Sequence, residues 1–151
     1  MKVALISPYS DIFSPGVRSI SAYLRAGGVE TRLIFLPNLY VKHVIQEFLE
    51  PYSPELLEGV TALCQDVDMV GISLMTNLFR RAVQLTSYLR EQLSAPIVWG
   101  GIHPTVRPEE CAGHADIVVV GEGEETILEL AQRIAGAEPY DDVRNVCLKS
   151  N

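Results

Sequence analysis

The residues able to do chemistry in this chain fall into four short segments, each directly after an apolar run: SPYSDIFSPG at 7–16, SLMTN at 73–77, GGIHPT at 100–105 and GEGEET at 121–126. His103, the one histidine among them, has the chemistry of a metal ligand or an acid–base group. With Pro104 and Thr105 behind it, the same imidazole can instead tie down loop backbone. Ser73 and Thr76 bring hydroxyls that donate and accept hydrogen bonds. Ser73 also reads as a satisfied strand-end group, and Thr76 with Asn77 as the N-cap of a following helix. Glu122, Glu124 and Glu125 stand where a helix starts, a position whose dipole favours negative charge, so capping and ligand contact are both open. Asp11 reads by default as a turn residue and the Gly100-Gly101 pair as a tight turn. Three widely spaced cysteines, Cys64, Cys111 and Cys147, offer neither a disulfide framework nor a zinc or iron–sulfur triplet, and read as core thiols. His43 lies on the polar face of a helical segment and His114 in a short connection.

Several chemistries are disfavoured. Phosphate cradles need backbone N–H groups at a helix start, yet the turn after the first apolar run carries Pro8 and Pro15, and no G-x-G-x-x-G or Walker pattern occurs. Gly121-Glu122-Gly123 is half a dinucleotide fingerprint whose neighbouring carboxylates would repel a polyphosphate. A phosphoryl receiver would need Asp and Lys where Ser73 and Gly121 stand. The net charge is −7 with no Lys/Arg cluster, which argues against nucleic acid. Neither a signal h-region nor an apolar run near the ~18 residues of a membrane span is present, so the expectation is a cytoplasmic protein without membrane contact.

The elements that must position these segments follow from the apolar pattern. At 151 residues and 48% apolar content the chain suits one compact domain able to bury a core without staples. Lys2–Ser7, 31–36, Met69–Ser73, 97–99 and 117–120 are short unbroken apolar runs, the mark of strands buried on both faces. Val17, Ile20 and Leu24 recur at helical spacing before Gly27-Gly28. Leu78, Ala82, Leu85, Leu89 and Leu93 form an apolar stripe with Arg80, Arg81 and Arg90 on the other side. Ile127, Leu130, Ala131 and Ile134 repeat the pattern. The alternation predicts a doubly wound α/β parallel sheet of about five strands, and Val146–Leu148 can add an edge strand. Residues 37–68 exceed one crossover and hold two predicted helices, 41–49 and 56–64, the second opened by Ser53-Pro54. The first is an insertion.

Chemistry-bearing segments directly after strands belong at a ligand site, because open parallel sheets bind beyond their carboxyl ends. The segments here resemble the vitamin B12-binding fold, whose pattern is D-x-H-x-x-G, S-x-L and a Gly-Gly pair. Asp11, Phe13 and Gly16 occupy the first, with Phe for His; Ser73 and Met75 the second; Gly100-Gly101 the third. GGIHPT followed about twenty residues later by GEGEET is similar to the N-terminal B12-binding domain of cobalamin-dependent radical SAM proteins, a group of methyltransferases and an anaerobic cyclase.

The resemblance spans nearly all of 1–151 and implies a flavodoxin-like (Rossmann-like) sheet in the order 2-1-3-4-5, part of a longer protein. Cobalamin is the implied ligand. A radical SAM domain of the same polypeptide is the implied partner, with a 4Fe-4S cluster and S-adenosylmethionine bound at a C-x-x-x-C-x-x-C motif that this chain lacks. By itself the chain would then bind a cofactor and turn nothing over. The implied site comprises Asp11, Phe13 and Gly16; Ser73, Leu74, Met75 and Thr76; Gly100, Gly101 and His103; and Gly121, Glu122, Gly123 and Glu124, with no catalytic or metal-ligating residue. Glycines without Cβ would admit the nucleotide tail, while Leu74, Met75 and Phe13 would form a shelf for the corrin. A phenyl ring has no lone pair, so Phe13 cannot ligate cobalt, and a base-off cofactor without a His ligand is expected. Gly101→Val is expected to block the tail while sparing the fold, and the 41–49 helix to meet the radical SAM domain. Alternatives are a stand-alone corrinoid carrier or sensor, and a nucleotide or small-molecule enzyme on the same fold.

Overall fold

The computed structural model describes residues 1–8, 14–37 and 50–148. Within them one sheet has the order β2-β1-β3-β4-β5-β6, formed by β1 (Lys2–Ser7), β2 (Glu30–Phe35), β3 (Met69–Ser73), β4 (Ile97–Gly100), β5 (Ile117–Val119) and β6 (Val146–Leu148). The first five strands are parallel, and β6 closes the edge antiparallel to β5. This is the flavodoxin-like arrangement expected, with the extra C-terminal strand in place.

The unbroken apolar runs arise because each strand is covered twice. Ala4, Ile6, Val70, Ile72, Trp99 and Val118 face the layer containing α2 (Pro54–Leu63) and α3 (Phe79–Gln92). Val3, Leu5, Met69, Val98, Ile117 and Val119 face α1 (Pro15–Ala26) and α6 (Glu124–Ala135). Inside the first layer the Trp99 indole donates to the Thr86 hydroxyl at 2.8 Å, which satisfies its one polar atom. Ser53 caps α2, accepting from the Leu56 N–H at 3.3 Å, with Pro54 at the first helical position. Gly27 ends α1 and Gly28 turns the chain at φ +82°, a left-handed conformation that suits glycine.

Two expectations change. Arg81 does not point to solvent with Arg80 and Arg90: it is 1% exposed, its Nε donating to the Glu50 carbonyl at 2.9 Å and its guanidinium lying 4.9 Å from the Tyr52 ring centroid. A cation–π contact and a carbonyl draw it inward. Gln84 adds two bonds to the Tyr52 backbone at 2.8 and 3.0 Å, so Glu50 to Ser53 is fastened to α3. Burial pushes the Tyr52 phenol up to about 12, with Arg81 opposing. Thr76 and Asn77 are not the N-cap of α3, since Thr76–Leu78 forms a single 3-10 turn and Leu78 takes the cap position. After β4 the chain makes two short helices, α4 (Ile102–Val106) and α5 (Pro108–Ala112), broken at Arg107-Pro108. The 41–49 insertion lies outside the described residues, as do Asp11 and Phe13.

At the opposite edge from the strand ends, Asp66 holds Lys2 at 2.8 Å and Arg32 at 2.6 Å. Burial pushes the Cys64 and Cys111 thiols up to about 11, far from the thiolate a metal requires. Among the described residues no cluster of three or more His, Cys, Asp or Glu could hold a metal ion, and no helix is long and apolar enough to cross a membrane.

Candidate functional site

Register decides where space opens. On the face toward α1 and α6, the pairings Leu5↔Gly71 and Gly71↔Val98 set one row across the sheet. One step toward the strand ends, the next row on that face contains Ser73 opposite Gly100, with Ser7 and Val119 on the flanking strands. Ser7, Ser73 and Gly100 are all small. A helix packed on a sheet normally fills such a row with branched side chains; here a cavity of about 390 Å³ remains between the sheet, α1 and α6. Its floor is Leu5, Gly71, Val98 and Val119, and its roof is Val17 and Ile20 of α1 with Ile127 of α6. A Cβ at Gly71 would come within 2.9 Å of Leu5 Cδ2, and one at Gly123 within 2.9 Å of Ile20 Cδ1. Both glycines therefore hold the cavity walls in place.

The mouth is built from two glycine loops pinned by one side chain. Thr105 Oγ1 donates to the Gly101 carbonyl at 2.8 Å and accepts from the Gly121 N–H at 3.0 Å, so the turns after β4 and β5 are locked together. Gly101 has φ +103°, and a Cβ there would meet Leu74 N and O at 3.0 Å. That close approach lets the Leu74 N–H donate to the Gly100 carbonyl at 2.8 Å, and the His103 N–H to the Leu74 carbonyl at 3.1 Å. Across the opening, the Ser19 hydroxyl donates to Glu124 at 2.8 Å, joining α1 to α6. Ser7 and Ser14 share a hydroxyl hydrogen bond of 3.1 Å where β1 gives way to α1.

Of the residues singled out in the sequence, Gly16, Ser73, Gly100 and Gly101 line this cavity, and so do Gly121, Glu122, Gly123 and Glu124. Leu74, Met75, Thr76 and His103 do not. The Leu74 side chain is 1% exposed, in the core on the other face of the sheet, because it lies one residue out of phase with Ser73. Its contribution is backbone, and the expected shelf loses that side chain. Met75 is 42% exposed, and Ile102 and Val106, each 62% exposed, line the cavity and extend its apolar surface. His103 is 4% exposed. Its Nδ1 shares a hydrogen bond with the Thr76 hydroxyl at 3.2 Å, its Nε2 is 3.6 Å from a Glu110 carboxylate oxygen, and its ring centroid is 4.9 Å from that of Phe79. The imidazole thus braces the loop from behind.

Sequence reading missed the walls: Leu5, Val17, Ile20, Val98, Val119 and Ile127 look like any core residues. The one available signal was Gly71, a glycine inside an apolar strand, which marks close approach by a ligand or another group. A cavity of this size suits a small planar group and is far too small for a corrin ring. Its mostly aliphatic walls and the carboxylates at its mouth suit the base of a nucleotide tail and disfavour a polyphosphate. The residues present fit a cobalamin tail.

Comparison with known proteins points the same way. The chain is 38% identical over 79 residues to bacteriochlorophyllide d C-8(2)-methyltransferase of Chlorobaculum tepidum, covering 50% of this chain and 17% of that protein. It is 34% identical over 96 residues to the anaerobic magnesium-protoporphyrin IX monomethyl ester cyclase of Synechocystis, covering 61% of this chain and 19% of that one. The chain thus spans under a fifth of the length of these curated relatives. Among solved structures, the radical S-adenosylmethionine methyltransferase TsrM of Kitasatospora setae, with cobalamin and a 4Fe-4S cluster bound, superposes with a TM-score of 0.79 at 16% identity, over 99% of this chain and 27% of that one. A cobalamin-binding protein of Desulfitobacterium hafniense gives 0.59 at 16% identity, over 88% and 58%. The family profile for the B12 binding domain matches residues 1–131, and by that match, on this fold, the chain belongs to the B12-binding domain family.

Proposed function

We propose that the chain binds cobalamin and serves as the cofactor domain of a radical SAM protein. The observation that carries the reading is the cavity above Gly71, Ser73 and Gly100, open at the strand ends and roofed by α1 and α6. The nucleotide tail would enter it, past Gly101 and Gly121, and the corrin would lie outside against Met75, Ile102 and Val106. When bound, the cofactor supplies cobalt-based methyl transfer or related radical chemistry. This chain's own work is to hold and shield: Val17, Ile20 and Ile127 keep water from the tail, and Thr105 keeps both loops at a fixed separation. The His103 ring, buried behind its loop and engaged by Thr76, is turned to support. Phe13 brings no lone pair. A base-off cofactor without a protein nitrogen ligand follows.

The 4Fe-4S cluster, S-adenosylmethionine and the radical SAM domain belong to this proposal for the whole protein, on the strength of the relatives' names and the motif pairing; methylation and cyclisation are both represented among those names. The test is the visible spectrum of the protein after mixing with hydroxocobalamin and desalting, where a colourless protein would sink the reading. Electron paramagnetic resonance of the reduced complex should show no nitrogen splitting from a lower ligand. His103→Ala should leave that signal unchanged, and Phe13→His should introduce the splitting.

A further inference from the structure

We infer that the slot selects among corrinoids by the polarity of the lower base, accepting benzimidazole tails and rejecting adenine tails; this rests on the cobalamin reading above. The deep walls are Leu5, Gly71, Val98, Val17, Ile20 and Ile127, which carry no polar side-chain atom. The floor strands have their backbone groups committed to parallel ladders on both sides of Gly71.

Among the described residues, the polar side chains of the lining are Ser73, Thr105, Glu122 and Glu124, all at strand ends or beyond them. Two are already engaged: the Thr105 hydroxyl bridges Gly101 and Gly121, and Glu124 accepts from Ser19. A base tethered through its sugar and phosphate at the mouth must lead with the ring farthest from the sugar. In dimethylbenzimidazole that ring is a benzene bearing methyl groups, which gains from aliphatic walls. In adenine it is a pyrimidine with ring nitrogens and an amino group, each of which would surrender water and find no partner among the described wall residues.

The test is titration of the protein with three corrinoids followed by absorbance: cobalamin, the adeninyl cobamide and cobinamide, which has no nucleotide tail. Cobalamin should bind tightest and the adeninyl cobamide at least about tenfold more weakly, since even one unpaired buried polar group costs about that much and adenine presents several. Cobinamide should also bind more weakly than cobalamin. Equal affinity for cobalamin and the adeninyl cobamide, both above cobinamide, overturns the selectivity and leaves the tail assignment standing. Equal affinity for all three removes the tail from the slot, and binding of none removes the cobalamin reading as well. Ile20→Thr, on the half-buried side of α1, and Val98→Thr, of similar shape in β4, each place a hydroxyl on the wall and should shrink the preference severalfold. If both variants fold by circular dichroism and neither narrows it, the discrimination does not arise here and the inference fails.

Discussion

Gly100 and Gly101 are adjacent and chemically identical, yet different constraints hold them. Gly101 is required by backbone: φ +103° with Leu74 backbone atoms 3.0 Å from a hypothetical Cβ means that Gly101→Val strains the fold itself, reversing the expectation that it would be spared. A loss of about 1–3 kcal/mol is expected, read as a fall in thermal midpoint. At Gly100 the nearest atom to a built Cβ is 4.0 Å away, so Gly100→Val should keep the midpoint and lose cobalamin retention after desalting. A different residue governs acid sensitivity. The Arg32 guanidinium, and then the Lys2 ammonium, hold the Asp66 carboxyl well below the usual carboxylate range. A depressed folded-state pKa gives stabilisation that is present above the ordinary range near pH ~4 and lost as pH falls through it toward the folded value. Asp66→Asn should therefore be less stable than the parent at neutral pH, with the gap closing on acidification in parallel urea titrations.

At the scale of elements, two loops and one threonine form the mouth of the cavity. Thr105→Val removes a donor to Gly101 and an acceptor for Gly121. A loss of about 1 kcal/mol is expected, with faster hydrogen exchange at the Gly121 N–H and partial recovery in Thr105→Ser; unchanged exchange would refute the latch. These bonds were invisible in the sequence, since nothing in GGIHPT names the acceptor or in GEGEET the donor. The strands, by contrast, were legible because double coverage leaves an unbroken apolar run, and the cavity opens at the strand ends where the chemistry-bearing segments stand. Arg81 was misplaced because periodicity reports a helical face and is blind to Tyr52, whose ring arrives from an earlier segment. The cavity walls were unreadable for a related reason: Val98 facing a void and Val118 facing a packed layer carry the same letter, and only register separates them.

For the whole molecule, cobalamin should act as a stabiliser, since a ligand that binds only the native state adds about 2.7 kcal/mol at a hundredfold excess over its Kd. For a domain of this length that corresponds to a rise of roughly 5–10 °C in thermal midpoint, and Gly100→Val should show none of it. The open row of Ser73 and Gly100 also has an evolutionary consequence. A void left by small residues forgoes contacts that larger ones would make, so the slot is a standing stability deficit that persists only while a ligand is needed. Laboratory evolution toward heat resistance in cobalamin-free medium should therefore accumulate bulky residues at Gly100 and Ser73, and a natural descendant released from its cofactor should show the same filled row on an unchanged sheet.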